Sequence, residues 1–384
     1  MVQVDGRTMA SRLPQEPDSV DPSALWLRFS HAELLPHDSN GKPWSVERLR
    51  KDGARLICQG PLGDCYHEAP LAVALQKDPR LVLSTTRPLG EHMGVRYYGV
   101  VYFVPAGSKA AQTFDRAGED QGGMTPVWVV VDDLLPTHRD GTLVTGSVDI
   151  PGIHQKSLLN VIREKALARL HGLSGYRTVT HGGDAEKVME TISGYPSQKF
   201  SLERSHDPEE DQRLGAEQFE KLRQGVLENR ITTMNTNLGD TRQVRKHLRD
   251  FQGPDGYFVA DEFKFRDGAG NAASTDGTGQ KSGQDSRTGY GWVGGHEYSI
   301  LDARVVDGVP TVRLRNPWGD LCPPEFADKN REGKPVQSGY VNIPWKLARE
   351  LFDTVKIGGR PPSQQDSDFT PTYPPRHGLP KELG

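Results

Sequence analysis

The chain has 384 residues, enough for two or three domains of about 150 residues each or for one large two-part unit. Hydrophobic residues make up 35% and charged residues 26%, and 47 basic against 51 acidic side chains leave a formal net charge of -4. That balance supports a sizeable core and excludes the basic excess that marks binding to nucleic acid or to an acidic membrane surface. The longest apolar stretch, Tyr97 to Val104, is far shorter than a membrane span, and the N-terminal residues lack the hydrophobic centre of a signal peptide. Three cysteines, Cys58, Cys65 and Cys322, fit a reducing compartment better than a disulfide framework. The expectation is a cytoplasmic protein, with export by a route that needs no signal peptide left open. The sequence carries no sign of oligomeric state.

In chain order, residues 1–22 are polar and proline-punctuated and read as a disordered leader. A helix is expected over Asp64 to Gln76, with Leu71, Val73, Ala74 and Leu75 as its apolar side. Tyr97 to Phe103 and Pro126 to Val131 read as strands, being aromatic and β-branched. Ser157 to Leu170 is the strongest helix, with Leu158, Leu159, Ile162, Ala166 and Leu170 at helical spacing and Ser157 as N-cap. A second helix is expected from Asp184 to Ile192. Gly194, Tyr195, Pro196 and Ser197 form a turn-rich joint between segments 23–195 and 196–358.

Beyond the joint, Gln218 to Glu228 reads as helix. Strands are expected at Arg230 to Met234, Tyr257 to Phe265, Glu297 to Val306, Thr311 to Arg315 and Gly339 to Ile343. Helices first and strands later predict an α+β protein with two lobes, the N-terminal one helical and the C-terminal one β-rich. Residues 359–384 are proline-rich and read as a disordered tail. Asp267 to Gly291 holds seven glycines in twenty-five positions and ends five residues before His296; it reads as a surface insertion or as a lid over a cleft.

Three separated segments carry the groups that thiol-based acyl transfer needs: Gln59-Gly-Pro-Leu-Gly-Asp-Cys65, Gly294-Gly-His296-Glu-Tyr-Ser and Arg313-Leu-Arg-Asn316-Pro-Trp318-Gly. A thiol attacks as the thiolate, and a helix N-terminus, where Cys65 falls, favours that anion. An imidazole must take the proton, and His296 stands in a strand context suited to it. The side-chain carbonyl of Asn316 can orient that ring, while the Gln59 amide and the Cys65 backbone N–H can donate to an oxyanion.

QGPLGDC, GHEYSILDA and RLRNPWG closely resemble the three active-site segments of the calpain family of papain-like cysteine proteases. VVVDDLLPT at 129–137, LLNVIREKALARLHG at 158–172 and GYVNIPWKLARELFDTVKI at 339–357 are similar to further parts of that protease core. The resemblance covers roughly residues 25–357. It implies a two-lobed papain-like fold in which Cys65 is the nucleophile, His296 the general acid/base and Asn316 the residue that holds the ring. Gln59 would serve the oxyanion hole, and Trp318 would shield the Asn–His contact from water. The implied activity is hydrolysis of peptide bonds in protein or peptide substrates through a thioacyl-enzyme.

The chain departs from the family pattern at several places. Tyr66 replaces the usual Trp, His67 and Glu68 replace apolar residues, and Pro70 falls inside the nucleophile helix, where about 3 kcal/mol or a kink is expected. Glu297 follows His296, and strand alternation predicts that it points to the opposite face. Leu56 and Cys322 stand where two acidic calcium ligands of the family would be, and neither side chain offers oxygen to a hard cation. No cofactor is therefore expected, and calcium control of the family kind is disfavoured. Two other classes compete with the endopeptidase reading: a catalytically inactive calpain-like binding or scaffold module, and a transamidating enzyme with the same Cys–His logic. Retention of Cys65, His296, Asn316 and Gln59 weighs against the first, and the Asn-Pro-Trp-Gly context against the second.

Overall fold

A computed structural model describes residues 2–4, 7–9, 23–29, 31–150, 153–172, 175–180, 182–236, 295–319, 326–330, 332–334, 336, 338–359, 370–371 and 375. The chain divides into two compact units. One comprises Met1–Gln198, Glu228–Ile231 and Ile357–Gly384, and the other Lys199–Leu227 and Thr232–Lys356.

In the first unit, β1 (Val2–Val4) and β2 (Arg7–Met9) pair antiparallel within the leader, where the sequence reading places no regular structure. In sequence, the Asp-Gly dipeptide at 5–6 between the two triplets is a hairpin signal. Strand β3 (Leu25–Arg28) follows, then α1 (Val46–Asp52), a 3-10 turn (Gly53–Leu56), α2 (Cys65–Lys77) and α3 (Pro79–Ser84). Next come β4 (Thr86–His92), β5 (Val95–Pro105), α4 (Lys109–Thr113), β6 (Asp115–Arg116), β7 (Met124–Asp132) and β8 (Leu134–Thr137). The unit continues with β9 (Asp149–Ile150), β10 (Ile153–Lys156), α5 (Leu159–Leu170), α6 (Gly175–Val179) and α7 (Ala185–Ser193). An antiparallel sheet in the order β4-β5-β7-β6 accompanies these helices, while β3 pairs with β8. Only its two central strands are readable as strands in the sequence, because β4 is interrupted by Pro88 and Gly90 and carries a bulge there.

Two helices are more deeply buried than their apolar pattern predicts. Helix α2 runs as one element through Pro70, with every residue from Tyr66 to Leu75 buried. Helix α5 begins at Leu159, two residues later than the sequence suggests. The hydroxyl of Ser157 nevertheless accepts from the Leu159 amide at 3.3 Å. Every residue from Leu159 to Arg169 is buried, charged ones included, so each charge needs a partner inside. Lys165 donates to the Asp132 carboxylate at 2.5 Å and to the Leu134 carbonyl at 2.7 Å, tying α5 to β7 and β8.

Further along the chain, β11 (Gln198–Ser201) is followed by α8 (Pro208–Leu227), β12 (Ile231–Thr236), β13 (Glu297–Val306), β14 (Val309–Arg315), β15 (Tyr340–Pro344), α9 (Trp345–Leu351) and β16 (Phe352–Gly358). Their strands form one sheet in the order β11-β16-β12-β13-β14-β15. Helix α8 starts ten residues before the expected Gln218. Asp207 caps it by accepting from the amides of Glu209 and Glu210 at 2.9 Å, and Pro208 opens its first turn. Arg349 of α9 donates to the Asp211 and Gln218 side chains of α8, and the Trp345 indole donates to the Gly215 carbonyl at 2.7 Å. The strand expected at Tyr257 to Phe265 and the glycine-rich segment Asp267 to Gly291 lie outside the described residues. The fold class is α+β.

Lys165→Met should destabilise the chain by about 3–5 kcal/mol, because it strands the Asp132 carboxylate in the core. Lys165→Met/Asp132→Asn should recover much of that loss in urea unfolding. A single variant within about 1 kcal/mol of the parent would show that the buried pair does not hold α5 in place.

Candidate active site

In the first unit, Cys65 is the first residue of α2 and is half-buried. The positive end of that helix favours the thiolate. The preceding loop is clamped by its backbone. The Cys58 carbonyl accepts from the Asn160 side chain of α5 at 2.9 Å and from the Ser147 amide at 2.8 Å. A Cβ at Gly60 would overlap the Thr145 carbonyl, and one at Gly63 would lie 2.5 Å from the Thr180 carbonyl oxygen, so both glycines are required by close approach. On the far side of Cys65, the Tyr66 hydroxyl donates to the Val179 carbonyl at 3.2 Å. Gln59 is buried, and its amide nitrogen donates to the Leu62 carbonyl at 2.5 Å, inside its own loop.

In the second unit, antiparallel pairing does the positioning. Ser299 of β13 stands opposite Arg315 of β14, so the residues just outside the two strands, His296 and Asn316, emerge at the same end. Thr236, at the end of β12, fixes the His296 backbone. Its hydroxyl accepts from the His296 amide at 2.8 Å, and its own amide donates to the His296 carbonyl at 2.9 Å. Asn316 is held by its amide, which donates to the Gly339 carbonyl at 2.8 Å.

The side chains then meet. His296 Nε2 lies 2.9 Å from Asn316 Oδ1, which also accepts from the Trp318 amide at 3.1 Å. An amide oxygen only accepts, so this contact places the imidazole proton on Nε2 and leaves the lone pair on Nδ1. Nδ1 is buried without a hydrogen-bond partner among the described residues. The Trp318 ring packs on the imidazole at 5.0 Å between centroids, and Tyr298 meets it edge-on at 5.1 Å. Burial pushes the His296 pKa down to about 4, with the Asn316 contact opposing that shift, so the ring is neutral above that value. Glu297 points away, as alternation predicts, and receives Lys356 Nζ at 2.6 Å and the Thr233 hydroxyl at 2.5 Å.

The structure thus brings His296, Asn316 and Trp318 together and sets Cys65 and Gln59 on the other unit. Sequence reasoning missed Thr236 and Tyr298. Tyr298 was in view in the same segment as His296, but Thr236 lies sixty positions away and has no local signature.

Residues 36–339 fit the model for "Calpain family cysteine protease". The chain belongs to that family. Over 271 residues it is 27% identical to Calpain-9 of Rattus norvegicus, covering 69% of this chain and 28% of that protein. Over 321 residues it is 24% identical to the Calpain-1 catalytic subunit of Rattus norvegicus, covering 79% of this chain and 34% of that one. This calpain-family chain therefore matches about a third or less of the length of these relatives. No described helix is long and apolar enough to cross a membrane.

The buried histidine gives a pH dependence with a definite sign. Between about pH 6.5 and 4 the unfolded chain binds a proton that folded His296 excludes. Its contribution is therefore complete above 6.5 and is lost as pH falls through that window. His296→Gln should lose less stability than the parent between pH 7 and 4.5, by up to about 3 kcal/mol. Parallel pH profiles of the urea midpoint would show that His296 does not titrate as a buried neutral ring.

Proposed function

We propose that the chain is an active cysteine endopeptidase in which Cys65, His296 and Asn316 act as nucleophile, general acid/base and positioning residue. The observation that carries this reading is the His296–Asn316 contact at 2.9 Å, which fixes the tautomer and leaves a buried lone pair on Nδ1 for a proton. In the proposed reaction Nδ1 takes the Cys65 thiol proton as the sulfur attacks the peptide carbonyl carbon. The imidazolium then returns that proton to the departing amine, and the C–N bond breaks to leave a thioester. Water, deprotonated by Nδ1, attacks the thioester carbon. The acid leaves, and the proton goes back to sulfur.

The Cys65 backbone N–H at the start of α2 would donate to the oxyanion, joined by the Gln59 amide once it turns from the Leu62 carbonyl. Trp318 covers the imidazole and keeps water from the Asn316 contact. Protein or peptide substrates follow from the family. The two described cysteines, Cys58 and Cys65, form no disulfide, which supports action in a reducing compartment such as the cytoplasm. Calcium has no part in this scheme. Leu56, at the place of an acidic ligand in the family, is a buried hydrocarbon side chain, and Cys322 lies outside the described residues.

The test is casein cleavage by the purified full chain, with added calcium and with chelator. Cys65→Ala and His296→Ala should abolish turnover, whereas Asn316→Ala should retain a measurable residue, since Asn316 only orients the ring. Gln59→Ala should slow turnover on the order of 10²–10³-fold. An inert parent chain whose Cys65 is no more reactive to alkylation than Cys58 and Cys322 would instead support the inactive binding module. Equal residual rates for all three triad variants would overturn the assignment of roles. A Gln59 effect below about threefold would remove it from the oxyanion hole.

A further inference from the structure

The start of α2 carries a second group of side chains that peptide hydrolysis does not use. Asp64 precedes the helix, and His67 and Glu68 follow three and four residues later, the spacing that stacks side chains on one helical face. One ligand atom from each of the three lies within 4.8 Å of the other two, and all three residues are fully buried.

Three observations show that this group does not satisfy itself. Asp is among the best N-cap residues, yet Asp64 makes no side-chain cap bond. Both of its carboxylate oxygens are buried without a hydrogen-bond partner of good geometry among the described residues, the Gln59 side chain and its own backbone amide being the nearby donors. Glu164, reaching in from α5, is also fully buried. Its Oε2 accepts from the Gly146 amide at 2.6 Å, while Oε1 has no such partner.

His67 supplies the third observation. Its Nε2 lies 3.3 Å from the Tyr102 hydroxyl, which donates its own proton to the Arg163 carbonyl at 2.8 Å. The hydroxyl can therefore only accept from His67, which puts the ring proton on Nε2 and the lone pair on Nδ1. That lone pair faces Glu68 Oε1 at 3.2 Å. Two acceptors at that distance need a proton or a cation between them.

Charge points the same way. Asp64, Glu68 and Glu164 bring three carboxyl groups, whereas the nearby buried guanidinium, Arg163, donates through Nη1 to the Thr85 and Thr86 hydroxyls at 3.1 and 2.7 Å. A divalent cation together with Arg163 would balance three carboxylates.

We propose that Asp64, His67 and Glu68, backed by Glu164, form a site for a divalent cation of the zinc type. The mixed nitrogen and oxygen donors suit zinc, whereas calcium takes six to eight oxygens. Ligand atoms about 2.0–2.2 Å from a tetrahedral zinc ion stand roughly 3.3 Å apart. His67 Nδ1 and Glu68 Oε1 already have about that separation, and an Asp64 oxygen lies within 4.8 Å of a ligand atom of each. The Tyr102 contact on the far ring nitrogen is the kind of outer hydrogen bond that orients a metal-binding histidine. Because the donors come from α2, its cap and α5, binding would contribute directly to folding free energy.

The test uses the full chain carrying Cys65→Ala, so that the thiol cannot hold metal. After chelator treatment and desalting, zinc chloride is titrated while retained metal and Tm are measured, with cobalt chloride in parallel for its visible absorption. One zinc per chain and a Tm rise on the order of 5 °C are expected. Both should be lost when Glu68→Gln or His67→Phe is added. Should His67→Phe fail to fold, the nearly isosteric Glu68→Gln decides. No retained zinc and no Tm change in the Cys65→Ala chain would overturn the site in favour of protonated carboxyls. Equal uptake by both added variants would place the metal elsewhere and overturn it equally.

Discussion

Burial of the polar side of α5 is the constraint on which the first unit depends. Its charged and amide groups cannot reach water, so each must find a backbone or side-chain partner inside. Asn160 takes the Cys58 carbonyl, Glu164 takes the Gly146 amide and Lys165 takes Asp132 and the Leu134 carbonyl. Through these bonds one helix fixes the loop that leads into Cys65, the segment beside it and the end of β7. Gly60 and Gly63 complete the clamp, because the loop passes too close to the Thr145 and Thr180 carbonyls for any side chain.

The second unit solves a different problem. Its imidazole is buried and held in one tautomer. Adjacent antiparallel strands bring His296 and Asn316 to one end of the sheet, and Thr236 of the next strand fixes the histidine backbone. The rings of Trp318 and Tyr298 then enclose the imidazole. Burial weakens its basicity, and the Asn316 contact partly restores it. Glu297, the neighbour with the charge to upset that balance, is turned to the other face and neutralised by Lys356.

His67 and Glu68 are polar residues within a buried helix, where they ought to be disruptive. Instead they lie within 4.8 Å of Asp64, and Asp64 and Glu68 both act on Glu164, so the polar groups gather in one place. Carboxylate oxygens gathered at one buried point are costly unless a proton or a cation joins them.

The sequence by itself determined the family, the α+β class and the identity of the candidate thiol, imidazole and amide. Those rest on short segments whose chemistry is local: a cysteine after Gly-Asp at a helix start, a histidine before Glu-Tyr-Ser-Ile, and an asparagine before Pro-Trp-Gly. Strands β13 and β14 were legible because β-branched and aliphatic residues fill them, and α7 because Asp184 caps it. Only the tertiary structure decided the rest. The full extent of α8 depends on an Asp-Pro cap upstream of its apolar stripe, and β4 depends on pairing with β5 across a bulge. Helix α5 looks amphipathic in sequence, yet its charged face is buried because distant carbonyls and a carboxylate meet it there. Which nitrogen of His296 carries the proton follows from Asn316, twenty residues away, and which nitrogen of His67 does so follows from Tyr102, thirty-five away. Periodicity reports which face is apolar, but a buried polar atom is defined by its partner, and partners far apart in the chain are chosen by the fold.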